Sequence, residues 1–140
     1  MAEFVMKKLV MELPHSGIDF EIASAATSTE EIGNPVYPPA RRMLNAHGID
    51  CSGKTARQMT ARDYGYYDYI VLMDQNNLRN LRWILPVDVQ KDPQHKISLL
   101  MDWVGENRDV ADPWYTGDFQ ATWNDVNAGC KALLAHLMKK

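Results

Sequence analysis

Asp112-Pro113-Trp114-Tyr115 is the stretch whose residue types could most directly do chemistry. Pro113 fixes its own φ and biases Asp112 towards an extended backbone, while Trp114 and Tyr115 supply aromatic walls. A carboxylate held beside aromatics is partly desolvated, which raises its pKa towards that of a usable general acid. The same residues also read as an ordinary turn ahead of a helix capped by Asp118. Residue types alone leave both readings open.

Two further motifs suggest phosphate chemistry. Residues 48–55, Gly-Ile-Asp-Cys-Ser-Gly-Lys-Thr, match the phosphate-binding pattern GxxxxGK[ST]. That mechanism needs a buried strand entering the loop and a helix leaving it. Residues 41–47 read instead as an amphipathic helix, and no acidic magnesium partner is evident at the end of an apolar strand unless Asp74 serves. A surface loop is the competing reading. The same loop contains Cys51-x5-Arg57, a spacing at which a thiolate and a guanidinium can cradle one phosphate dianion. Gln58-Met59-Thr60 follows and leads to a new cap, so no helix starts where its N-terminus would lower the thiol pKa. Cys51 and Arg57 are therefore read as a chance match, with Cys51 a partly buried thiol in a connecting loop. His47 reads as a helix C-terminal residue. His15, His95 and His136 fall in a turn, a linker and a helix end, without ligand spacing, so no metal site is expected.

The elements that must position these residues follow from periodicity. Residues 1–11 place Phe4, Val5 and Leu9 on one helical face, and the Pro14 to Gly17 turn ends it. Residues 18–24 alternate Ile18, Phe20 and Ile22 with Asp19 and Glu21, which predicts a strand. Pro39 opens a helix carrying Met43, Leu44 and His47 before the Gly48 stop. Thr60-Ala61-Arg62-Asp63 offers a capping box with Asp at its third helical position. Residues 69–73, Tyr-Ile-Val-Leu-Met, form an apolar run between Asp68 and Asp74, the pattern of a strand buried on both faces. Residues 75–85 predict a helix stopped by Pro86, residues 96–100 a weaker strand, and residues 118–138 a long amphipathic helix through Trp123, Val126, Cys130, Leu133, Leu134 and Leu137. Strands alternating with helices predict an α/β three-layer sandwich, a parallel sheet flanked by helices. Ligands of such sheets bind beyond the carboxyl ends of the strands.

Composition narrows the classes. A chain of 140 residues, 46% apolar and 24% charged, suits one domain over residues 1–140. Its net charge of −3 argues against a nucleic-acid or anionic-membrane binder. Two cysteines, Cys51 and Cys130, far apart in sequence, suggest no disulfide framework, and a cytoplasmic setting fits best. No stretch approaches the length of a membrane span, and no leader is evident.

Four segments together resemble the low-molecular-weight protein tyrosine phosphatases of the bacterial type. They are Met1-Ala2-Glu3-Phe4; Ser24-Ala25-Ala26-Thr27-Ser28 with Ile32-Gly33-Asn34-Pro35; Ala56-Arg57-Gln58 with residues 68–74 and Asn77-Leu78-Arg79; and Asp112-Pro113-Trp114-Tyr115. They run in the family's order over essentially the whole chain. The resemblance implies a four-stranded parallel sheet and hydrolysis of phosphotyrosine proteins or aryl phosphates through a phosphocysteine, without cofactor or metal. It implies Asp112 as the general acid, and Trp114 and Tyr115 at the substrate mouth with Glu30 nearby. Only Tyr115 of the aromatic pair could itself be phosphorylated.

The resemblance also implies a departure. The family opens with a buried strand and a Cys-x5-Arg loop directly ahead of the helix that begins here at Met1, and both are absent from these residues. Cys51 and Arg57 match a later region, so they do not replace the loop. The sheet is then the family's minus its first strand, the domain N-terminally truncated, and the chain inactive or nearly so. Met1 coincides with an internal methionine of the family, as a misplaced start or an incomplete clone would produce. Residues 18–24 and 69–73 are then expected either to pair directly or to drive homo-oligomerisation. The alternative function is a non-catalytic interaction module using the Asp112 to Tyr115 surface or an exposed sheet edge. A third, nucleotide binding at residues 48–55, would require ATP with magnesium to raise the melting temperature.

Overall fold

In the computed structural model, residues 1–13, 18–29, 32–111 and 117–138 are described. Helix α1 (Ala2–Met11) buries Val5 and Met6. Helix α2 (Pro38–Ala46) starts on its paired prolines, whose missing N–H groups cost nothing in a first turn. It ends where Gly48 takes φ +74°, a left-handed conformation that glycine adopts without strain. Its Leu44 is fully buried, and His47, just past its end, stacks on Trp123 with ring centroids 3.7 Å apart.

Helix α3 (Ala61–Tyr66) begins as the capping pattern predicts, with the Asp63 carboxylate accepting the Thr60 backbone N–H at 2.8 Å. Strand β1 (Ile70–Leu72) then leads through α4 (Gln75–Asn80), a 3-10 turn (Leu81–Trp83) and α5 (Val87–Gln90) to β2 (Ile97–Leu99). The expected helix over residues 75–85 thus tightens into a 3-10 turn before Pro86. The two strands are parallel, in the register Ile70 to Ile97, Val71 to Ser98 and Leu72 to Leu99. The turn before β2 is built on Asp92, whose carboxylate accepts the N–H groups of Lys96 (2.8 Å) and Ile97 (3.0 Å) and the Tyr64 hydroxyl (2.7 Å). These bonds hold Asp92 at φ +52°, a conformation that a short polar side chain tolerates.

The apolar run at β1 is buried on both faces because its residues alternate between two cores. Ile70 and Leu72 join Met59, Tyr64, Leu81, Leu85 and Leu99 under α3 and the 3-10 turn. Tyr69, Val71 and Met73 pack against the larger cluster built on α1, α2 and the last helix, α6 (Phe119–Met138). Helices therefore flank the parallel pair on both sides, which is the predicted α/β layering. Helix α6 lies against α1 and against the 3-10 segment Leu100–Val104. The contact is tight at Gly129: a Cβ there would lie 2.4 Å from Leu100 Cγ.

Residues 18–24 depart from expectation. No strand ladder forms there among the described residues, and the expected direct pairing with β1 is not made. The alternation is kept only from residue 20 on, with Phe20 and Ile22 half-buried against the larger core and Glu21 and Ala23 exposed, whereas Ile18 is exposed. An alternating pattern fixes which face is apolar, whereas a ladder also requires a neighbouring backbone at hydrogen-bond distance. Just beyond this segment, Ala26 is bridged in parallel to Gln58.

Candidate functional site

The carboxyl end of β1 is tied to the segment that leads into residue 112. Met73 accepts the Val110 N–H at 2.9 Å, and the Asp109 carboxylate accepts the Gln75 N–H at 3.0 Å. Asp74 caps α4 by accepting the Asn77 N–H at 2.7 Å, and Asn77 returns its side-chain oxygen to the Met73 N–H at 3.1 Å.

Helix α6 holds the same segment from the other side. Asp125 accepts the Ala111 N–H at 2.8 Å, and Thr122 donates its hydroxyl to the Ala111 carbonyl at 2.7 Å. Both backbone groups of the residue before Asp112 are thereby fixed by one helix face, since Thr122 and Asp125 stand three residues apart. Arg108 completes the clamp with a forked pair of bonds to Asp125, at 2.8 and 2.7 Å. This guanidinium holds the Asp125 carboxyl below the ordinary aspartate range, against the opposing effect of burial. Asp112, Trp114 and Tyr115 themselves, and Glu30, lie outside the described residues.

The residues of the two phosphate-type motifs are placed as follows. Cys51 lies in the larger core, 2% exposed. Arg57 forks onto Asp63 at 3.0 and 3.1 Å, an interaction that holds the Asp63 carboxyl below its usual range. Lys54 reaches back to Glu3 at 2.7 Å. The loop is entered from α2, and the residues leaving it, Thr55, Ala56 and Gln58, make isolated bridges rather than a helix. The other cysteine, Cys130, lies on α6 and is buried in the larger core, and burial pushes its thiol up to about 12.

Glu3 is a buried acid that was not singled out from the sequence; the signal available was its i,i+4 relation to Lys7. Burial alone would raise its pKa, but Lys54, Lys7 at 2.8 Å and the Ser24 hydroxyl at 2.7 Å hold it at about 2. The clamp residues Thr122 and Asp125 were equally unmarked. Their spacing on one helix face was visible, but their partners stand outside the helix.

A family model described as "Low molecular weight phosphotyrosine protein phosphatase" matches residues 1–140. The chain belongs to this phosphatase family. Among its relatives, the low molecular weight protein-tyrosine-phosphatase YfkJ of Bacillus subtilis is 33% identical over 144 residues, spanning 100% of this chain and 88% of that protein. The low molecular weight phosphotyrosine protein phosphatase of Mus musculus is 36% identical over 137 residues, spanning 96% and 84%. The fold of the phosphatase chain superposes on the crystal structure of YfkJ with a TM-score of 0.86 at 31% identity, over 99% of this chain and 85% of that one. It superposes on SP-PTP of Streptococcus pyogenes with a TM-score of 0.77 at 36% identity, over 97% and 82%. The parallel pair β1–β2 and its flanking helices are thus the phosphatase architecture. Among the described residues, no helix is long and apolar enough to cross a membrane.

Proposed function

We propose that this protein carries the leaving-group half of a phosphotyrosine phosphatase site, with Asp112 as the general acid and Trp114, Tyr115 and Glu30 at the substrate mouth. The observation that carries this reading is the clamp on Ala111, held through both its N–H and its C=O by α6. A general acid must meet its leaving-group oxygen at hydrogen-bond distance, and a stem fixed one residue upstream supports that role. Asp112 would protonate the phenol oxygen of a phosphotyrosine or aryl phosphate, then take a proton from the water that attacks the phosphocysteine.

The 140 residues do not themselves supply the thiolate for that covalent step. Cys51 is sealed in the core, and the Cys130 thiol is buried with its pKa raised. A nucleophilic cysteine needs an exposed, electropositive setting. Arg57, the cation of the Cys51-x5-Arg57 spacing, is occupied by Asp63. Two cysteines kept as buried thiols fit a cytoplasmic setting.

The test is hydrolysis of p-nitrophenyl phosphate by this chain, beside Cys51→Ser and Asp112→Ala, and by a fusion that restores a strand and Cys-x5-Arg loop ahead of Met1. The chain alone should show no turnover. The fusion should hydrolyse the ester, and Asp112→Ala within it should lower kcat by about 10²–10⁴-fold. Turnover of the chain abolished by Cys51→Ser would overturn the reading, as would a fusion indifferent to Asp112→Ala.

A further inference from the structure

Three exposed large apolar side chains lie close together in sequence on the crossover between β1 and β2. Trp83 is 79% exposed and Val87 75%, and Leu78 is 41% exposed. Leu78, Arg79, Arg82 and Trp83 follow the i, i+1, i+4, i+5 spacing that puts residues on one face of a helical turn, and the exposures agree. Arg82 lies over the Trp83 ring, 5.5 Å from its centroid, and Arg79 bonds to Asn76 at 3.2 Å. Among the described residues, no carboxylate pairs with either guanidinium. Beside this face, Leu78 forms part of the wall of a cleft of about 240 Å³ shared with Leu72, Ile97 and Leu99.

The local charge is opposite to that of the whole chain. Residues 75–91 carry Arg79, Arg82 and Lys91 against Asp88 alone, whereas the protein as a whole has a net charge of −3. Exposing an indole and a valine to water stabilises nothing in the monomer, and Trp with Arg is the composition that dominates binding hot spots. The net negative charge of the rest of the chain favours approach of an acidic ligand to this positive segment. Three cations are too few for a nucleic-acid backbone, which is bound through many phosphate contacts.

We propose that the Leu78, Arg79, Arg82, Trp83 and Val87 face binds an acidic segment of another protein, one that carries a bulky apolar side chain. Its carboxylates pair with Arg79 and Arg82, and its apolar side chain packs on Trp83 and the Leu78 rim of the cleft. The surface is independent of the Asp112 chemistry, so its test does not depend on turnover.

The isotopically labelled chain is titrated with the peptide acetyl-Glu-Glu-Asp-Phe-Glu-Glu-amide and with its all-lysine counterpart, following backbone and indole N–H resonances. The acidic peptide should shift the amides of residues 78–87 and the Trp83 indole, and bind about tenfold more weakly when salt screens the pairs. Arg79→Glu with Arg82→Glu, and separately Trp83→Ser, should each weaken binding at least about tenfold; all three side chains are exposed, so the fold is retained. Absence of shifts at about 2 mM peptide, equal shifts from the lysine peptide, or unchanged binding in both variants would overturn the proposal. So would tighter binding of a single-stranded oligonucleotide. Sedimentation showing self-association that Trp83→Ser abolishes would assign the face to a second copy instead.

Discussion

Glu3 shows how much of a residue's behaviour is set by partners far along the chain. Its pKa near 2 rests first on Lys54 and then on Lys7 and Ser24, which outweigh the cost of burial. A depressed carboxylate pKa contributes stability above its unfolded value and loses it as pH falls through the folded value. The contribution of Glu3 is therefore complete above about 4.5 and disappears towards pH 2. Asp63 and Asp125, both also lowered, act with the same sign. Thermal melts between pH 6 and 2 should show a flatter decline for Glu3→Gln than for the native chain, and parallel declines would refute this role. None of these contacts was read from the sequence, although Glu3 and Lys7 stand four residues apart on one helix. The Ser24 and Lys54 contacts join positions that no local pattern relates, and the Asp125 clamp on Arg108 and Ala111 is hidden for the same reason. Asp63 is the contrasting case. Its place three residues after Thr60 announced the helix start that the structure contains, though not that Arg57 would share the carboxylate.

At the scale of elements, the apolar run of β1 and the long amphipathic pattern of α6 were legible because burial on both faces and a 3.6-residue period leave direct marks on residue type. The strand expected over residues 18–24 was not, because its alternation records a half-buried face while a ladder depends on what lies beside it. Gly129 carries a comparable non-local constraint. In a helix interior, replacing glycine by alanine ordinarily adds about 1 kcal/mol of stability. Here the new methyl would meet Leu100, itself 1% exposed and unable to swing into solvent. Gly129→Ala should therefore destabilise by about 1–3 kcal/mol, the usual cost of overpacking. Urea unfolding would measure it, and adding Leu100→Ala should make the Gly129 change less costly than in the native background. A neutral or stabilising Gly129→Ala would show that α6 can move away from the Leu100 turn.

For the whole molecule, β1 acts as a partition. Val71 belongs to the core of α1, α2 and α6, and Leu72 to the core of α3 and the 3-10 turn. Truncating a buried leucine to alanine costs about 2–5 kcal/mol, and such costs add when two sites share no partners. Val71→Ala and Leu72→Ala should then deviate from additivity less than Leu72→Ala with Leu99→Ala, partners within one cluster. The reverse ranking in a double-mutant cycle would mean that the two cores are one. If the ranking holds, residues joined by a single peptide bond are thermodynamic strangers. Each half of the protein could then change its packing over evolutionary time without consulting the other, so that the Ala111 stem on one side and the Trp83 face on the other would be free to diversify separately.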